Sequence, residues 1–125
     1  MASVLRWWGP VVMYMGLIFW SSSRLRPEAL SQTPDYWLHG AAYFVLAVLG
    51  IRALARGLAD AGTVRALAGG FAIAALYGLG DEWHQSFVPG RVASLGDVAF
   101  DAAGALAGAL VVGLFWRRRG EQRVY

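Results

Sequence analysis

Asp81-Glu82-Trp83-His84-Gln85, Pro89-Gly90-Arg91, Ser94, Asp97 and Asp101 gather most of the chain's ionisable chemistry into twenty-one positions. Two imidazoles, His39 and His84, and up to five carboxylates could bind a divalent metal, the carboxylates favouring hard cations and the imidazoles Zn2+ or a similar ion. His39 or Glu82 could equally act as general acid or base, with Arg91 gripping a phosphate or carboxylate through its planar fork. A third reading is that the groups only pair, Arg91 with Asp81 or Asp97 and His39 with Asp101, as a polar plug that sets helix register.

The elements that must position these groups are hydrophobic. The chain has 125 residues, of which 58% are hydrophobic and 15% charged, with six Trp and a mean hydropathy of +0.47. That leaves too little polar side chain to cover a water-soluble domain. Apolar stretches predict spans at about 4–22, 36–55, 66–84 and 95–116, each near the ~20 residues a bilayer crossing needs. The third reaches that length only by running on through His84, which brings Asp81 and Glu82 to the membrane edge. An ionisable residue in such a place is costly and marks function by default. The first stretch carries bulky Trp, Tyr and Met residues and no A-x-A-like site, so it reads as a retained helix and not a cleaved signal peptide.

Composition excludes other classes. With no cysteine, neither a disulfide framework nor a thiolate metal site can form. All eleven basic residues are Arg. Four spans would put eight of them (Arg6, Arg52, Arg56, Arg65, Arg117, Arg118, Arg119 and Arg123) on one face and three (Arg24, Arg26 and Arg91) on the other. The net charge of +3 therefore speaks for membrane topology and against a nucleic-acid partner. The same bias places both termini in the cytoplasm of an inner-membrane protein, with the acidic site facing outside.

Helical spacing then builds the site. Asp35, His39 and Tyr43 form one stripe into the second span, at i, i+4 and i+8. Asp97, Asp101, Gly104 and Gly108 share a face of the fourth, with Asp101 about 6 Å deeper than Asp97 and a Gly-x-x-x-Gly pair beneath it for close helix approach. Ser94-x-x-Asp97 carries the capping-box signature of a helix start near Leu95. Gly9-Pro10 is read as lying near the start of the first helix, where a missing donor costs least.

Ser21-Ser22-Ser23, Asp35-x-x-x-His39-x-x-x-Tyr43, Asp81-Glu82-x-x-Gln85-x-Phe87-x-Pro89-Gly90-Arg91 and Ser94-x-x-Asp97-x-x-x-Asp101-x-x-Gly104 resemble the VanZ-like family of bacterial membrane proteins over about residues 17–108. The resemblance implies a cell-envelope role, since family members include a protein associated with resistance to the glycopeptide teicoplanin. Two positions depart from the family pattern: Tyr36 stands where Lys is usual, and Asp101 where Asn is usual. The expectation is an all-α, four-helix integral membrane bundle forming one domain over residues 1–125. It would act on, or bind, a lipid-linked or anionic envelope substrate at the outer leaflet, as a membrane hydrolase or transferase. His39, Asp81, Glu82 and Gln85 are the expected catalytic groups. Arg91, Tyr43, His84, Asp97 and Asp101 are the expected substrate contacts, with a divalent metal as the candidate cofactor. A non-catalytic ligand or antibiotic binder and a proton- or ion-coupled small transporter are the competing classes.

Overall fold

The structure, a computed structural model, describes residues 1–24, 36–57 and 60–121. Four helices follow one another: α1 (Ala2–Ser22), α2 (Tyr36–Leu54), α3 (Val64–Gln85) and α4 (Leu95–Glu121), of 21, 19, 22 and 27 residues. The described residues contain no strand. α1, α2 and α4 are each long and apolar enough to cross a membrane. α3 is as long, but its Gly- and Ala-rich body and its Asp81–Glu82 end dilute its apolar character.

The bundle is inside-out relative to a soluble one. Met13, Leu17, Leu76, Leu106, Leu110 and Phe115 are among many large apolar side chains left exposed, while Ala47, Ala74 and Ala105 are fully buried. With hydrocarbon outside, burying large side chains brings no gain, and close backbone approach becomes the source of adhesion. The glycines show it directly. A Cβ at Gly104 would overlap the backbone of Gly40, and one at Gly108 would come within 2.7 Å of the Phe44 carbonyl oxygen, so α2 and α4 touch backbone to backbone. On the other side of α2, a Cβ at Gly70 would lie 2.8 Å from both the Ala47 carbonyl oxygen and the Ile51 nitrogen. α2 is thus clamped between α3 and α4.

α1 sits apart from this trio. It packs on α2 and more sparingly on α3, and no contact with α4 occurs among the described residues. Gly9 and Gly16 have open space where a Cβ would be. The helix begins at Ala2, which puts Pro10 in its interior and not near its start as the sequence suggested. The Arg6 carbonyl consequently loses its helical donor; such losses are tolerated in membrane helices, where neighbours and local adjustment compensate.

Two caps decide where the site helices begin. The Thr63 hydroxyl accepts from the Ala66 N–H at 3.3 Å, starting α3 two residues earlier than its apolar run. The Ser94 hydroxyl accepts from the Gly96 N–H at 3.1 Å, as an N-cap should. The reciprocal half of the expected capping box is different. The Ser94 N–H donates to Glu82 Oε2 at 3.0 Å, so a carboxylate from α3 takes the donor that Asp97 would have taken. The start of α4 is therefore fixed to the end of α3.

Candidate functional site

The chain alternates direction, so the C-terminal ends of α1 and α3 meet the N-terminal ends of α2 and α4. At that end Asp81 is buried and accepts from three side chains. Ser22 Oγ lies 2.6 Å from its Oδ1, while Gln85 Nε2 and Tyr43 Oη reach its Oδ2 at 2.9 Å and 3.3 Å. Ser22 Oγ is also 3.0 Å from the Phe19 carbonyl; with one proton to give, the shorter bond to a carboxylate prevails. Three helices are thus tied through one carboxylate. In the sequence Ser22 stands within the Ser21-Ser22-Ser23 motif with no site role assigned to it.

Gln85, 2% exposed, passes the order outward. Its Oε1 accepts from Arg91 Nη1 at 3.4 Å. Arg91 Nη2 and Nε donate to the carbonyls of Ser21 and Arg24 at 3.2 Å and 3.3 Å. The pairing of Arg91 with Asp81 that the polar-plug reading offered does not form: three neutral donors already occupy Asp81, and the carbonyls of Ser21 and Arg24 take the guanidinium instead.

A second cluster lies beside the first. His39 Nδ1 meets Asp101 Oδ1 at 3.0 Å, which fixes the ring. Glu82 and Asp101 are 4% and 1% exposed, and one ligand atom from each of His39, Glu82 and Asp101 lies within 4.8 Å of the others. Glu82 Oε1 and Asp101 Oδ2 are buried with no hydrogen-bond partner among the described residues. Gly78 makes room for this group, since a Cβ there would lie 3.0 Å from Asp101 Oδ2 and 3.3 Å from the Tyr43 ring. Asp97 stands at the partly buried first turn of α4, one turn above Asp101.

His84 joins neither cluster. Its ring packs on Phe19 with centroids 4.5 Å apart. Two positions beyond Glu82, it points about 200° around the helix from that residue. Asp35, the expected top of the second-span stripe, lies outside the described residues.

Between α1 and the α2–α3 pair opens a cleft of about 460 Å³. Leu17, Ile18, Leu38 and Val45 give it apolar walls, and Ser22, His39, Asp81, Gln85 and Arg91 line its polar part. Residues 7–116 match the VanZ/LLP1 family. The chain belongs to this family. Its VanZ/LLP1 match takes in every residue of both clusters and of the cleft. No curated protein and no solved structure matches the chain.

Proposed function

We propose that this VanZ/LLP1 protein takes an anionic, lipid-linked cell-envelope substrate into the cleft between α1 and α2–α3 and acts on it as a hydrolase or transferase. The observation that carries this reading is the cleft's composition: aliphatic walls that suit an acyl or prenyl chain run directly to the Arg91 guanidinium and a set of hydrogen-bonding groups. A cleft of that volume admits a ligand-sized portion of a lipid. Arg91 meets the charged head, its orientation set by Gln85 and the α1 carbonyls. Asp81 is a positioning residue, because its oxygens are already committed to Ser22, Tyr43 and Gln85. His39, Glu82 and Asp101 supply the reactive groups beside the head. A substrate of this kind fits an envelope role, including the link to teicoplanin resistance that the family resemblance suggests.

The side of the membrane follows from charge. Arg6 and Arg52 stack on Trp7, and Gly57 lies against the same ring, so the chain start and the α2–α3 connection share the end opposite the site. The Arg-rich end of α4 lies there too, with Trp116 beside Gly62. An Arg-rich end stays in the cytoplasm, which turns the site outward. The chain has no native cysteine among the described residues, so single cysteines at positions 60 and 88 can be labelled with an impermeant reagent in intact cells. Position 88 should react; labelling of 60 alone reverses the orientation.

The substrate reading is tested by the lipids that travel with protein extracted into native nanodiscs. Wild type should retain one anionic lipid class above its share of the bulk membrane. Arg91→Ala should lose that enrichment, and Arg91→Lys should recover only part of it, because an ammonium keeps charge without the planar fork. Equal lipid profiles in all three proteins would refute the reading. Turnover of the retained lipid by purified protein then separates an enzyme from a binder.

A further inference from the structure

Two carboxylates and an imidazole converge inside the bundle. Glu82 and Asp101 come from different helices, and each is more than nine-tenths buried. Each has one oxygen satisfied, Glu82 Oε2 by the Ser94 N–H and Asp101 Oδ1 by His39. The remaining oxygens, Glu82 Oε1 and Asp101 Oδ2, have no hydrogen-bond partner among the described residues. An orphaned polar atom in a buried site calls for an explanation, and a bound ion is one of the standard ones. Electrostatics favour a cation. Two carboxylates beside a protonated His39 leave a charge of −1 inside the bundle, whereas a divalent ion with neutral His39 brings the set to zero.

We propose that His39, Glu82 and Asp101 bind one divalent transition-metal ion. The donor set selects its class. Two carboxylate oxygens attract hard cations and one imidazole nitrogen favours Mn2+ or Zn2+ over Mg2+ or Ca2+. Tetrahedral ligands at bond lengths of about 2.1 Å are about 3.4 Å apart. The three ligand atoms lie within 4.8 Å of one another, so the widest pair closes by at most about 1.4 Å to complete the site. Three protein ligands leave coordination positions open, as in catalytic and not structural sites. His39 also lines the cleft, which places the ion at the polar part of the substrate path. The site itself does not depend on the lipid reading; only its use does.

The test is Mn2+ binding to delipidated, chelator-stripped protein in detergent, followed by the loss of the free-ion electron paramagnetic resonance signal. Wild type and the exposed-site control Asp60→Asn should each take up one Mn2+ per chain. Glu82→Gln and Asp101→Asn should each weaken binding by about a hundredfold or more, beyond the effect of losing an outer-sphere partner, and the double variant should bind none. Absence of saturable binding to wild type, or equal binding by wild type and the double variant, overturns the proposal. Should the double variant fail to fold, electron spin echo modulation decides the matter on His variants of bound protein. The chain has two His, so imidazole-nitrogen coupling must persist in His84→Gln and vanish in His39→Gln. The reverse pattern overturns the site. Because this assay uses protein without lipid, a failed Mn2+ result leaves the Arg91 lipid comparison standing, and a failed lipid result leaves the metal site standing.

Discussion

α1 and the α2–α3–α4 trio meet the same membrane with opposite packing. In the trio, glycines bring backbones into contact, and a methyl group at Gly70, Gly104 or Gly108 has nowhere to go. In α1, Gly9 and Gly16 face open space, and the helix keeps its place through Val11, a few partly buried side chains and three long-range hydrogen bonds, Ser22 to Asp81, Tyr77 to the Met15 carbonyl and Arg91 to the Ser21 carbonyl. The lesson is a division of labour. Groups that must hold fixed distances, His39, Glu82 and Asp101, all belong to the trio; one wall of the cleft belongs to the loosely held helix.

The strongest challenge to that contrast is a matched pair of glycine substitutions. Gly104→Ala forces α2 and α4 apart at a backbone contact, with an overpacking cost of about 1–3 kcal/mol, and should lower the melting temperature in detergent by several degrees while pulling His39 from Asp101. Gly16→Ala should leave the melting temperature unchanged or raise it slightly, since Ala is the better helix former by about 1 kcal/mol at most. Equal losses would mean that α1 is packed as tightly as the trio. Next comes Asp81→Asn, which turns one acceptor oxygen into an NH2 facing donors. Its expected cost is about 1–3 kcal/mol, read as a lower melting temperature together with faster proteolysis after Ser22. A change in melting without the proteolytic change would assign Asp81 to the trio alone. Ser22→Ala is the mildest: about 1 kcal/mol, with α1 loosened and Mn2+ uptake unaltered. Altered Mn2+ uptake in that variant would show that the two clusters are not separate.

Much of this was legible in the sequence because membrane helices announce themselves through long apolar runs. The i, i+4 stripes also placed His39, Tyr43 and Asp101 on inward faces, and the 104–108 glycine pair marked the α2–α4 contact. What lay beyond reach were contacts set by packing between distant segments. Ser22 and Asp81 are 59 residues apart, and no local pattern links them. Glu82 capping α4 depends on how α3 and α4 lean together, so the local Ser94–Asp97 signature pointed to the wrong acceptor. His84 looked like a site residue through nearness in sequence, but neighbours two apart on a helix face nearly opposite ways. For Arg91 the sequence offered a substrate anion or a carboxylate of the polar cluster as partner; the carbonyls of Ser21 and Arg24 are partners that a one-dimensional reading does not display.

The unequal helix lengths carry a consequence for the surrounding bilayer. α2, with 19 residues, is about 28 Å long, and α4, with 27, about 40 Å, against a hydrocarbon layer of about 30 Å. His39 lies three residues from the start of α2, and Asp101 six from the start of α4. The cluster is therefore shallow, and it hangs from the helix least able to reach through a thick membrane. In a membrane thicker than α2 can span, lipids next to it thin to match it, a hydrophobic mismatch that draws the water boundary toward His39. Acyl-chain length in the host membrane thus sets how deeply the site is immersed.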